Sequence, residues 1–238
     1  MLHPMAPFQR LISNGGTVFV GVDREEAEIY AANGTGGMAS AVTMLSLDWP
    51  ALKKYDNDLS PASPSPFSGD ANPEYIWQPP ISDGQTRAFA IASNSFTVTG
   101  LFIPPITTFE RATFSVCLSA FSDNAMTAKI TLYEQVGGSY VKVPAQPAGL
   151  GDFILVAGTP NTSSTGLTET IPYNWQDIRV YSTSFTAPLA VPTGAPRTFK
   201  VVISFMATNY LPIAPVPGNP AGLQFIADLY QEVDEVIG

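Results

Sequence analysis

The sequence has few of the residues that most enzymes use at their active sites. Its 238 residues include one cysteine, Cys117, and one histidine, His3. A Ser-His-Asp or Cys-His arrangement needs a histidine held by structured neighbours, and His3 stands beside Pro4 in a tail-like segment. A zinc site of histidine and cysteine ligands needs more of these residues than the chain contains. A single cysteine excludes an intramolecular disulfide, and its place in a strand pattern predicts a small buried side chain.

Charged residues are also scarce. They make up 13% of the chain, about half the fraction of a typical soluble domain. Twenty acidic and eleven basic residues give a net charge of −9, whereas binding to nucleic acid needs clustered lysine and arginine. The nearest approach to such a cluster is Lys53-Lys54, which aspartates flank. We therefore expect no nucleic-acid partner and no anionic membrane partner.

Long hydrophobic runs are missing too. No apolar run approaches the roughly 18 residues of a membrane span, and residues 1–5 lack the features of a signal peptide. We therefore expect synthesis in a host cytosol. A chain with so few charges must cover its surface with uncharged polar groups or hide it in an assembly. We favour an assembly, because uncharged polar surfaces suit extensive, hydrated protein contacts.

No motif marks a metal site, a phosphate site or a catalytic pair. The chain has no Asp-x-Asp-x-Asp-Gly loop, and the glycines at residues 34–37 lack the Gly-Lys-Ser/Thr of a phosphate loop. Glu25, Glu26 and Glu28 lie on a predicted helix and are interpreted as a solvated cluster that suits the helix dipole. Any two carboxylates could converge in space as a glycosidase pair, although nothing marks two of them. We expect no cofactor, no metal and no enzymatic activity.

The chain does contain a long series of short segments in which apolar and polar residues alternate. In residues 112–121, for example, Phe, Val, Leu and Ala alternate with Thr, Ser and Cys. A period of two places the two sets on opposite faces of a sheet. Regular spacing of such segments favours a β-sandwich over βαβ units. Strands are predicted at residues 87–92, 95–103, 112–121, 127–135, 139–143, 152–157, 177–186, 197–208 and 222–234.

The sequence also predicts the structure of two connecting segments and of the C-terminal segment. Gly137-Gly138, between two predicted strands, predicts a hairpin. Residues 158–174 are rich in Thr, Ser, Asn and Gly and are predicted to form a surface loop. The apolar spacing in residues 223–237 fits a helix or a strand, and Pro220 with the strand-rich surroundings favours the strand.

The first part of the chain differs from the rest. Residues 1–85 are predicted to form an extended N-terminal assembly arm, followed by the sandwich at residues 86–238. Asp23 begins a capping-box-like pattern, which predicts a helix of two or three turns that ends at Asn33-Gly34. The Pro/Ser stretch at residues 59–66 is extended and linker-like. These features predict an arm or strap with one short helix, not a packed core.

Aromatic residues are the remaining candidates for a binding role. Trp175 precedes a predicted strand, and a buried ring at a sandwich edge is its simplest interpretation. Trp49 and Trp77 lie in the Pro-rich segment, where they are candidates for anchors in a partner's groove. Phe8 and Tyr75 complete the set of candidate residues for an interface or for stacking on a glycan.

Several segments between residues 87 and 236 resemble the jelly-roll pattern of galactose-binding-like and carbohydrate-binding modules. They are residues 112–121, 128–133, 175–176, 181–188 and 198–205, and residues 223–230 are similar to the last strand of those modules. The resemblance implies an all-β, jelly-roll β-sandwich. No sugar-binding residue is transferred, because the Trp-Gln step is usually scaffold in that family and residues 158–174 depart from the pattern.

The chain as a whole resembles the virion proteins of tailed bacteriophages. Low charge, abundant proline and glycine, and an arm-like first segment are similar to capsid decoration (cement) proteins and fibre adaptors. The resemblance implies a structural virion protein that binds the major capsid protein or another virion protein. It also implies a homo-oligomer, with a trimer favoured, whose N-terminal arms strap neighbouring subunits. The alternative is a carbohydrate-binding module that recognises glycans on a host surface.

Overall fold

Two antiparallel sheets stack face to face in the computed structural model of the chain, and they carry one short helix. The structure describes residues 5–43, 49–53, 66–67, 69–82, 84–103, 106–156, 159–161, 166–168, 178–188, 196–209 and 220–237. Its elements are β1 Ala6–Ile12, β2 Phe19–Gly21, α1 Arg24–Asn33, β3 Gly37–Met38, β4 Ser40–Ala41, β5 Ile76–Trp77, β6 Gln85–Ala92, β7 Phe96–Val98, β8 Gly100–Ile103, β9 Ile106–Ser122, β10 Ala125–Val136, β11 Ser139–Lys142, β12 Asp152–Val156, β13 Thr159–Asn161, β14 Gly166–Thr168, β15 Arg179–Thr186, β16 Arg197–Asn209 and β17 Leu223–Ile237.

The prediction of an all-β sandwich is confirmed by the order of the strands. Within the described ranges, sheet A has the order β15-β9-β17-β5-β4, with β1 paired to β17 and β8 paired to β9. Sheet B has the order β11-β10-β16-β6-β2-β3, with β12 paired to β10 and β7 paired to β16. The long strands β9, β10, β15, β16 and β17 lie alternately in sheet A and sheet B along the chain, so both sheets contribute to one core. This two-sheet arrangement fits the expected jelly-roll class.

Aromatic rings fill the core between the sheets. Phe114 on β9 lies at the centre of one group, with ring centroids 4.3 Å from Phe96 and 5.6 Å from Phe185. Phe205 of sheet B stacks on Phe225 of sheet A at 4.5 Å. These rings are at the apolar positions of the alternating pattern, so the pattern correctly predicts which face of each strand is buried.

Cys117 is exposed, so the prediction of a buried cysteine is wrong. It lies on β9 in the same phase as Ser115 and Ser119, while Val116 and Leu118 on either side of it are in the core. The alternation therefore places the cysteine outside. The usual preference of cysteine for burial was the weaker guide at this position.

The strand predictions between residues 87 and 234 correspond to β6 through β12 and β15 through β17, and the C-terminal segment is a strand. Gly137 and Gly138 have φ values of 60° and 92°, which only glycine adopts readily, and they join β10 to β11 as a hairpin. The segment at residues 158–174, predicted as a loop, contains the small hairpin β13–β14.

The predicted helix is confirmed with both of its caps. The Asp23 side chain accepts a hydrogen bond of 2.9 Å from the Glu26 N–H, and Gly34 ends α1 with a φ of 68°. The helix lies on the outer face of sheet B, where small side chains allow close approach. The buried contact consists of Ala27, Ala31 and Ala32 on α1 and Ala88, Ala90, Tyr133 and Val202 on the sheet. No helix in the described part of the chain is long and apolar enough to cross a membrane.

The acidic cluster on α1 is only partly solvated, because Glu28 is 1% exposed. The Glu28 carboxylate faces sheet B and accepts hydrogen bonds from the hydroxyls of Thr131 at 3.1 Å, Tyr133 at 3.1 Å and Ser204 at 2.7 Å. Glu28 belongs to the same helix face as Ala27, and that face is the one that docks. The interpretation of Glu28 as a solvated residue is therefore wrong.

The described parts of residues 1–85 belong to the sandwich, contrary to the prediction of a separate arm. Strand β1 pairs with β17, with Ala6 opposite Gln231 and Ile12 opposite Ile226. Strand β2 pairs with β6, and β5 pairs with β17. Backbone hydrogen bonds between distant parts of the chain satisfy these segments, which a free arm would leave to water. Residue 85 is therefore not a boundary between the described elements.

Candidate functional site

Three of the five candidate aromatic residues are buried within the chain itself. Trp49, Tyr75 and Trp77 are 8%, 9% and 2% exposed. Trp49 packs on Tyr75 with ring centroids 5.0 Å apart, and its indole N–H donates to Asp123 at 2.8 Å. Trp77 packs on Phe89 at 5.5 Å. Rings buried in their own chain stabilise the fold and leave little surface for a sugar or a partner.

The other two candidates have different positions. Phe8 on β1 is half-buried and meets the core, with its ring centroid 5.4 Å from that of Phe114 and 6.2 Å from that of Phe96. Trp175 lies outside the described residues. The structure therefore brings Trp49 and Tyr75 together in one cluster, while Phe8 and Trp77 belong to the core between the sheets.

The burial of Tyr75 gives a testable pH dependence. Burial raises the pKa of Tyr75 to about 12, and its hydroxyl donates to the carbonyl of Pro50. A tyrosine in the unfolded chain ionises near a pKa of about 10. The stabilising effect of a neutral Tyr75 is therefore complete below pH 10 and is lost as the pH rises towards 12. We expect the urea midpoint to fall over this interval, and to fall less steeply for Tyr75→Phe. Equal slopes for the two proteins would contradict this cause.

The outer face of sheet A has a covered half and an open half. The covered half is β17 with β1, where the Leu52 N–H donates to the Gln224 side-chain oxygen at 2.8 Å. The ring centroid of Phe67 lies 4.9 Å from the Arg10 guanidinium on the same half. The other half, which no segment in the described ranges covers, is formed by β9 and β15, and we call it the β9–β15 face.

Small uncharged side chains form the β9–β15 face. In the register of the two strands the outward pairs are Ser115 with Ser184, Cys117 with Ser182, and Ser119 with Val180. Val180 is 73% exposed and Ile178, just before β15, is 40% exposed. Where the two strands pair, the outward residues offer hydroxyl groups and exposed apolar carbon without a charge, a composition that suits contact with another protein surface. The sequence alternation predicted its outward residues, but not that segment 49–53 would pack beside β17 and that the described residues would leave this face uncovered.

A groove of about 410 Å³ separates the covered and open halves. Its lining residues are Ala51, Leu52, Lys53, Cys117, Ser119, Ile178, Ile226 and Asp228. At its floor Asp228 accepts two hydrogen bonds from Arg10, at 2.6 and 2.8 Å, so this carboxylate is already engaged. The groove therefore combines an ion-paired floor with apolar and hydroxyl walls.

The Cys117 thiol in this groove is not activated for reaction, so the groove is suited to binding. Partial burial, together with the Asp228 carboxylate, raises the pKa of Cys117, so the thiol is protonated at neutral pH. Within the described ranges, no three His, Cys, Asp or Glu side chains are grouped so that they could hold a metal ion. The arrangement can bind through hydrogen bonds and apolar packing.

Comparison with known proteins gives no family. No protein-family model matches the chain. No curated protein matches it. Among solved structures, a chain from "Structure of infectious bursal disease virus Gt strain" aligns with 12% identity and a TM-score of 0.15, covering 93% of this chain and 59% of that one. The chain thus spans about three fifths of the length of that viral protein, and a similarity this low carries no argument about fold or function.

Proposed function

We propose that the chain is a structural protein of a virus particle, which binds a capsid or tail lattice and stabilises it through contacts between folded subunits. It acts as a homo-oligomer, with a trimer favoured. The observation that supports the proposal is the β9–β15 face, whose paired outward residues are uncharged and whose Val180 is 73% exposed. The low charge of the whole chain supports the same assignment.

The proposed contact uses a sheet face, in place of the N-terminal strap expected from the sequence. Residues 6–12 form β1 and pair with β17 of the same chain, so these residues are not available to cross to a neighbour. On the β9–β15 face, serine hydroxyls can exchange bonds with water for bonds with a partner at little net cost. Val180 and Ile178 supply the apolar area that favours association.

A charge placed on this face tests the proposal. Val180→Arg would put a desolvated, unpaired charge into the contact, so we expect binding to be weakened by about tenfold or more. Val136→Arg is the matched control, because Val136 is 56% exposed on the β10–β11 hairpin of sheet B. The measurements are the oligomeric state by analytical ultracentrifugation and co-sedimentation with particles of the virus that encodes the chain.

The outcomes separate clearly. Support requires that the wild-type protein and Val136→Arg form the oligomer and co-sediment with the particles, while Val180→Arg does neither. A wild-type protein that is monomeric and absent from purified particles overturns the proposal. If the two variants oligomerise and co-sediment equally, the β9–β15 face is not the contact surface, and the proposed mode of contact is overturned.

A further inference from the structure

A second concave site lies on the opposite side of the sandwich from the β9–β15 face. It is a groove of about 500 Å³ between α1 and β11, on the outer face of sheet B. Its lining includes Glu25, Ile29, Thr35, Ser139, Tyr140 and Lys142. We call this site the α1–β11 groove. Its volume lies within the range of about 300–1,000 Å³ that small-molecule sites usually have.

The walls of the α1–β11 groove are fixed to each other before any ligand binds. The Asn33 side chain at the end of α1 donates to the Tyr140 carbonyl at 3.0 Å and accepts from the Tyr140 N–H at 2.8 Å. The Lys200 ammonium donates to the Ala32 carbonyl at 2.8 Å and lies 4.3 Å from the centroid of the Tyr140 ring. A preformed groove loses less conformational freedom on binding, which favours affinity for a small ligand.

The floor of the groove is a buried polar network. The Tyr133 hydroxyl donates to the Glu28 carboxylate at 3.1 Å, and burial, with that carboxylate beside it, raises the pKa of Tyr133 so that it remains a donor. The Lys142 ammonium lies 3.9 Å from the same carboxylate. Glu28 thus orients Lys142, whose side chain is 42% exposed, at one wall of the groove.

The groups that line the opening suit a ligand with one apolar side and many hydroxyls. Ile29 is 42% exposed, and the Tyr140 ring lines the groove beside it. Hydrogen-bonding groups come from Glu25 and Lys142, of opposite charge. A ligand with a net charge would meet a like charge in the same groove, whereas a neutral ligand can use both.

We propose that the α1–β11 groove binds a neutral saccharide. The C–H face of a sugar ring packs on Ile29 and on Tyr140, and its hydroxyls bond to Glu25 and Lys142. The site is independent of the lattice contact proposed above, because the two lie on the outer faces of different sheets. A protein bound to a particle through the β9–β15 face would present this groove to solvent.

The experiment uses the full chain on an array of neutral and sialylated oligosaccharides, followed by calorimetric titration with the neutral oligosaccharide that gives the strongest signal. Glu25→Gln and Lys142→Met each remove one charge from the groove with little change in side-chain size, and we expect each to weaken binding by about tenfold. Glu25 is exposed on the first turn of α1, so its variant should fold normally. Val180→Arg, on the other sheet, should bind the sugar as the wild-type protein does.

Three results would overturn the inference. One is the lack of binding to any neutral oligosaccharide at millimolar concentration. Another is binding to sialylated glycans alone, which contradicts a neutral ligand. The third is full affinity in both groove variants, which places the binding elsewhere. None of these results depends on whether Val180→Arg abolishes assembly, so the two proposals fail separately.

Discussion

Replacing Asp228 with alanine is expected to lower the free energy of unfolding by about 3–5 kcal/mol, the usual cost of removing one partner from a buried ion pair. Asp228 on β17 accepts two hydrogen bonds from Arg10 on β1, at 2.6 and 2.8 Å. The two side chains are 3% and 0% exposed. The variant would remove two short hydrogen bonds from the buried Arg10 guanidinium, which lies beside Phe67, and the loss of this buried pairing is what destabilises the fold.

The chain provides a matched control for this experiment. Arg111 and Asp234 form an ion pair across β9 and β17, but their side chains are 47% and 22% exposed. Water solvates such a pair in both the folded and the unfolded protein, so Asp234→Ala should lower the free energy of unfolding by about 1 kcal/mol or less. Urea unfolding followed by tryptophan fluorescence gives both free energies. Similar costs for Asp228→Ala and Asp234→Ala would contradict the argument from burial.

A double variant separates the charge from the packing. Arg10→Met combined with Asp228→Leu removes both charges and keeps apolar volume, so we expect stability close to that of the wild-type protein. Amide hydrogen exchange adds a local reading, because Asp228→Ala should speed exchange in residues 6–12 more than in β9 or β16. If β1 exchanges at its wild-type rate in Asp228→Ala, the pair does not hold this strand in place.

The alternating segments after residue 87 could be predicted because their signal is local. A period of two identifies a strand and its core face, as in residues 112–121, without knowledge of the partner strand. The caps of α1 are local for the same reason, since Asp23 and Gly34 act within one turn of the helix. Even the exposure of Cys117 follows from the phase of its strand.

The place of β1 could not be predicted, because its partner is remote in the sequence. Arg10 and Asp228 are 218 residues apart, and nothing in residues 6–12 indicates which strand they join. Pro7, a residue type usually rare in sheets, also lies within this strand. Pairing at the edge of sheet A overrides that preference with backbone hydrogen bonds and a buried ion pair.

The candidate binding residues were harder to predict than the strands. Trp49 is buried because it packs on Tyr75 and Phe121, and Trp77 is buried because it lies on β5 and faces the core against Phe89. These contacts join distant parts of the chain, and residue type alone cannot distinguish a buried tryptophan from an exposed one. The exposure of the β9–β15 face likewise depends on where the other described segments pack. Such surfaces become visible only when the long-range contacts are known.

Glu28→Ala is expected to lower the free energy of unfolding by about 3 kcal/mol. The carboxylate accepts hydrogen bonds from Thr131, Tyr133 and Ser204, all of which are 1% exposed or less. Each buried hydroxyl left without a partner lowers the free energy of unfolding by about 1–3 kcal/mol, and relaxation of the helix recovers part of the total for the three hydroxyls. Glu28→Gln retains one acceptor oxygen and should cost about half as much.

Glu25→Ala is the control that tests whether the cost of Glu28→Ala comes from the burial of the carboxylate. Glu25 is on the same helix but exposed, so Glu25→Ala should change the free energy of unfolding by about 0.5 kcal/mol or less. Urea unfolding measures all three variants, and far-UV circular dichroism follows α1. A cost below about 1 kcal/mol for Glu28→Ala would mean that the apolar alanine contacts alone hold α1 on sheet B. A large cost would identify Glu28 as the residue that sets the position of α1, and with it the shape of the α1–β11 groove.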